Sequence, residues 1–102
     1  MAATVYPNWR DTVRFSADGP QPQVLLESDK VKVVLVGLEA GQRLPLHPAP
    51  GAAYHILEGS GWFLLNAERI AVKAGATVVA ADGDRRGFEA ETRLAFLGAR
   101  GV

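Results

Sequence analysis

Short apolar runs broken by turn residues fill most of this chain. Lys32-Val33-Val34-Leu35-Val36 is apolar on both faces, the pattern of a strand held between two layers. Elsewhere apolar and polar residues alternate over four to eight positions. The pattern predicts strands at Thr12–Ala17, Gln23–Glu27, Lys32–Glu39, Arg43–His47, Ala53–Leu57, Trp62–Leu65, Arg69–Lys73, Thr77–Ala80, Arg86–Glu89 and Arg93–Leu97. Asp18-Gly19-Pro20, Ala40-Gly41, Pro48-Ala49-Pro50-Gly51, Glu58-Gly59-Ser60-Gly61, Asn66-Ala67, Ala74-Gly75 and Asp82-Gly83 punctuate them. No window sustains a capped helical period, so the reading is all-β: one antiparallel sandwich or barrel. Residues 1–10 read as an N-terminal arm, anchored by Trp9 on the barrel or on a neighbouring subunit, and residues 11–102 as the domain.

With 102 residues the chain is long enough for one domain and too short for two. Hydrophobic residues make up 48 %, enough for a buried core. The 11 basic and 11 acidic residues cancel, which gives no electrostatic reason to expect nucleic acid or an anionic membrane as partner. There are no cysteines, which excludes disulfides, thiolate nucleophiles and Cys-based zinc sites and points to a cytoplasmic location. The N-terminus lacks the pattern of a signal peptide, and no apolar run approaches the ~20 residues of a membrane-spanning helix.

From Gly41 onward the chain resembles the cupin superfamily. Gly41, five residues and His47 match the opening of that family's first motif, and Ile56-Leu57-Glu58-Gly59 matches its close. Gly75 and Gly83 fall where the two glycines of the second motif belong, and the 15 residues between Gly59 and Gly75 suit a compact single-domain cupin. Each of these glycines sits where the chain reverses, and such corners often require positive φ. The resemblance implies a cupin-type antiparallel β-barrel (a double-stranded β-helix or jelly roll) and a homodimer, to which Tyr6, Trp9 and the Val33–Val36 strand would contribute.

The resemblance also implies a metal held by three histidines and a carboxylate, but the positions it assigns to them are occupied by His47, Ala49, Ala52 and Arg86. The motif's proline is Ala81 and its asparagine is Ala90. One imidazole is too few to hold a metal, and a guanidinium has no lone pair to donate. No cofactor is therefore expected at that site. Strand parity groups Arg43, Pro45, His47 and Ala49 on one face, and Arg86, Phe88 and Ala90 on another that the motif register turns inward.

The leading expectation is a non-enzymatic or regulatory module binding a small anion, a carboxylate or sugar acid, through His47 and Arg86, with Arg43, Tyr54, Phe88 and Trp62 around it. A bland alternative pairs Arg86 with Glu58, Glu89 or Glu91 and leaves a purely structural dimer. A third is a metal-dependent enzyme of dioxygenase or isomerase type, with a divalent transition metal on a site rebuilt from His47 and His55. No serine lies in a nucleophile elbow.

Overall fold

A computed structural model describes residues 3–102. After a single 3-10 turn at Trp9–Asp11 the chain forms nine strands: β1 Gln21–Glu27, β2 Val31–Leu38, β3 Arg43–Pro48, β4 Ala52–Glu58, β5 Ser60–Leu65, β6 Glu68–Lys73, β7 Thr77–Ala80, β8 Arg85–Ala90 and β9 Leu94–Gly101. All pairings are antiparallel. The strands make two sheets, a five-stranded one in the order β1-β2-β9-β4-β7 and a four-stranded one in the order β3-β8-β5-β6. The all-β jelly-roll expectation holds. The closed barrel does not: the sheets face one another without a ladder joining them.

The fold follows from the alternation along each strand. Val36, Leu38, Tyr54, Ile56, Phe63 and Phe96 turn inward from both sheets and are almost fully buried. At ~25 cal/mol per Å² of apolar area removed from water, this inter-sheet layer is the main favourable term in folding. Four aromatic rings form its centre. Phe88 stacks on Phe96 with centroids 4.2 Å apart, and Tyr54 meets both edge-on at 5.3 and 5.8 Å. Phe63 closes the group at 5.1 Å from Phe88. Gly41, Gly59, Gly75 and Gly83 all adopt positive φ, between 83 and 95°, so the corners do need residues without a Cβ.

Thr12–Ala17 is not a strand. This segment crosses outside the five-stranded sheet so closely that a Cβ on Gly37 would overlap the Arg14 carbonyl oxygen. It is held by side chains rather than by a ladder: Gln42 Nε2 donates to the Ser16 carbonyl at 2.6 Å, and the Arg93 guanidinium lies 4.3 Å from the Phe15 ring centre. Ahead of it, Tyr6–Arg10 lie along a groove with Leu25, Leu35, Leu57 and Leu97 of the outer sheet face. Trp9 lies in this groove. Among the described residues no helix is long and apolar enough to cross a membrane.

Candidate functional site

A cavity of about 110 Å³ opens between the sheets, lined mainly by Val34, Val36, Leu44, Tyr54, Phe88 and Phe96. Arg86 and Arg100 supply its cationic groups, and His47 an imidazole. Five strands place the lining residues, with Val34 and Val36 on β2 and Leu44 and His47 on β3. Tyr54 comes from β4, Phe88 and Arg86 share the inward face of β8, and Phe96, Gly98 and Arg100 follow one another at period two along β9.

His47 reaches the cavity through an irregularity in β3. Leu44 pairs with Phe88 and His47 with Arg86, so β3 spends three residues where β8 spends two. This β-bulge reverses the parity of the strand. Leu44 and His47 therefore both line the cavity, while Arg43 is turned out to solvent and pairs with Glu89 at 3.0 Å. The bulge needs Gly87 beneath it, because a Cβ there would stand within the contact distance of the Leu44 carbonyl oxygen. His47 Nδ1 lies 3.2 Å from the Pro45 carbonyl oxygen, which can only accept, so in the neutral ring Nδ1 carries the proton and Nε2 the free lone pair.

Arg86 is inside, as the motif register requires, and only 1 % of it is exposed. It is not free to grip a ligand. Nε donates to the Asp84 carbonyl at 2.9 Å, Nη1 to Pro50 at 2.5 Å, and Nη2 to Ala49 and Ala81 at 3.0 and 2.8 Å. Four of its five N–H groups are thus committed to backbone oxygens. Nor does it pair with Glu58, Glu89 or Glu91: Glu58 meets Arg10, Glu89 meets Arg43 and Arg69, and Glu91 accepts from the Ser60 hydroxyl. The expectation of Arg86 as the anion-gripping residue is corrected, and so is its carboxylate-paired alternative.

The open guanidinium is Arg100, which the sequence reading missed because it ended the last strand at Leu97. Arg100 is half-buried, and its side chain donates only a long 3.3 Å bond to the neighbouring Gly101 carbonyl. Among the described residues the ion pairs join Arg10, Lys32, Arg43, Arg69 and Arg93 to glutamates, and Arg100 belongs to none of them. The signal was present as the alternation Phe96, Gly98, Arg100.

Two further expected residues lie elsewhere. Trp62 faces away from the core, with the Arg69 guanidinium 3.7 Å from its ring centre, while its neighbour Phe63 takes the inward place. His55 stands on the opposite face of β4 from Tyr54, exposed, with Nδ1 2.7 Å from the Thr77 hydroxyl. A metal site joining His47 and His55 is therefore ruled out by parity. The donor set at the family's site does not fit a metal either: Ala49 and Ala52 have no donor atoms, and Arg86 is a fixed cation. Among the described residues no three His, Cys, Asp or Glu side chains converge.

Asp84 sits at the tight turn before β8. The Ala81 N–H and then the Asn66 side-chain amide hold its carboxyl below the usual aspartate range, with a smaller contribution from the Arg86 charge. Glu39 is lowered in the same sense by its two hydrogen bonds from Arg93.

No protein-family model matches the chain, and no curated protein matches it. Solved structures do. An RmlC-like cupin from Desulfovibrio desulfuricans is 26 % identical, with a TM-score of 0.87 over 98 % of this chain and 97 % of that one. A protein of unknown function from Streptococcus pyogenes is 20 % identical, with a TM-score of 0.87 over 99 % of this chain and 90 % of that one. A predicted oxalate decarboxylase from Thermotoga maritima is 24 % identical, with a TM-score of 0.75 over 81 % and 80 %.

Proposed function

We propose that this chain, which belongs to the cupin superfamily, binds a small carboxylate in the cavity between its sheets, without the metal chemistry common in that superfamily. The carboxylate meets Arg100 and His47, and its apolar end lies among Val34, Val36, Phe88 and Phe96. The observation that carries this reading is a guanidinium that borders an apolar cavity and takes part in no ion pair among the described residues. Arginine and carboxylate form short, charge-assisted hydrogen bonds, frequently two in parallel, and the apolar surroundings strengthen them.

Size and lining narrow the ligand. The cavity of about 110 Å³ equals the share of roughly three to four water molecules, which suits a short aliphatic tail. Apart from the Tyr54 hydroxyl the uncharged side chains of the lining are aliphatic or phenyl, too few polar groups for the several hydroxyls of a sugar acid, so short-chain monocarboxylates are favoured over sugar acids. The protein acts as a binding or regulatory module and as a homodimer.

The test is an NMR titration of wild type and Arg100→Met with acetate, propionate, butyrate and glycerate. Saturable shifts at Tyr54, Phe88 and Gly98 with propionate or butyrate, lost in Arg100→Met, support the reading. If no carboxylate moves these resonances, or both proteins respond alike, the proposal fails.

A further inference from the structure

A buried guanidinium ordinarily meets a carboxylate, because burying a charge without compensation is costly. Arg86 is compensated instead by carbonyl dipoles from two segments far apart in sequence: Ala49 and Pro50 on one side, Ala81 and Asp84 on the other. All three guanidinium nitrogens donate, so the oxygens are spread around the rim of a planar group. A tetrahedral ammonium on a single point could not reach the same set.

These oxygens are also positioned by bonds that do not involve Arg86. Gly83 N donates to the Ala49 carbonyl at 3.0 Å, and Asp82 Oδ1 accepts from Gly51 N at 2.5 Å. Asp84 Oδ2 accepts from Ala81 N at 2.9 Å, and Gly101 N ties Gly51 to β9 at 3.0 Å. The surroundings of the guanidinium are therefore built by the backbone and by two aspartates.

We infer that the Ala49–Pro50 and Ala81–Asp84 segments form a preorganised binding site for planar guanidinium cations, which the native chain fills with its own Arg86. The site is distinct from the carboxylate site, since it takes a cation and its groups are backbone oxygens. Vacated by truncation, it will take a free guanidinium from solution.

The experiment compares wild type and Arg86→Ala by thermal unfolding in methylguanidinium chloride, ammonium chloride and sodium chloride at equal, sub-denaturing concentrations. Arg86→Ala is expected to lose more than about 10 °C in Tm. Methylguanidinium should restore most of that loss while leaving wild type unchanged or slightly lowered, and the other two salts should not. Equal effects of the three cations, or an equal rise in wild type, overturn the inference. If Arg86→Ala does not fold in buffer, it is diluted from urea into the same salts. Recovery of native fluorescence only with methylguanidinium supports the site, and failure to fold in every salt overturns it.

Discussion

The ring of Tyr54 rests directly on the backbone of Gly98: a Cβ at residue 98 would stand 2.9 Å from Cδ1 and 3.1 Å from Cε1 of that ring. Tyr54 cannot simply tilt away, because Phe63, Phe88 and Phe96 bound it on other sides. Gly98→Ala should therefore cost about 1–3 kcal/mol through overpacking. Urea unfolding measures it. A cost below about 0.5 kcal/mol would show that the aromatic cluster yields more readily than its geometry implies.

Arg86 and Arg100 border the same cavity but should respond oppositely to truncation. Arg86→Met leaves four part-buried carbonyl oxygens without their donor and is expected to cost about 3 kcal/mol or more, because each hydrogen bond to a charged group contributes about 1.5–3 kcal/mol. Arg100→Met removes no intramolecular ion pair and should stay within about 0.5 kcal/mol of wild type. Equilibrium unfolding of the two variants side by side decides the matter, and a reversed order would contradict the assignment of their roles.

The two lowered carboxyls set a direction for acid sensitivity. The folded pKa of Asp84 lies below its unfolded value because the folded chain donates hydrogen bonds to the charged form, first from Ala81 and then from Asn66. Its stabilising contribution is full above the unfolded pKa and is lost as pH falls through the folded one. Glu39, bonded to Arg93, behaves in the same way. Asp84→Asn should therefore flatten the fall in Tm below the ordinary carboxylate range and lower Tm at neutral pH. A fall in acid as steep as that of wild type would assign the sensitivity to other groups.

Divalent transition metals should not stabilise the protein. His47 is the single imidazole at the cavity, and His55 lies outside on the other face of β4. Differential scanning fluorimetry with stoichiometric zinc, nickel or manganese should show no rise in Tm, and treatment with a chelator should show no fall. A rise that vanishes in His47→Ala would reveal ligands that these side chains do not supply.

The homodimer is expected to use the outer face of the five-stranded sheet. Val79 points outward from the edge strand β7 and is 70 % exposed, near the exposed Ala53 and His55. Analytical ultracentrifugation should give a dimer for wild type and a monomer for Val79→Lys. A monomeric wild type would end this reading.

The strands after Gly19 were legible from alternation and turn residues, and the four corner glycines fixed the register of the second half. Thr12–Ala17 was misread because its apolar residues serve packing over Gly37 rather than ladder formation, and alternation does not distinguish the two. Arg43 was misplaced by counting parity through the β3 bulge, whose extra residue has no local signature. Trp62 was placed beside the ligand, whereas Phe63 takes the inward position, because two adjacent aromatic residues leave the phase of the alternation open. Arg86 was correctly turned inward, but its partners are carbonyl oxygens, and backbone groups leave no trace in residue identities.

Arg86 also has a consequence for how the protein comes to be complete. A cation attached to the chain by covalent bonds cannot be diluted away, removed by a competitor or missing because the medium is poor in it. Each copy leaves synthesis with its own, at fixed stoichiometry, and needs no delivery step before its two loops can close. The same attachment removes a means of control, for a group that never departs cannot report its own scarcity.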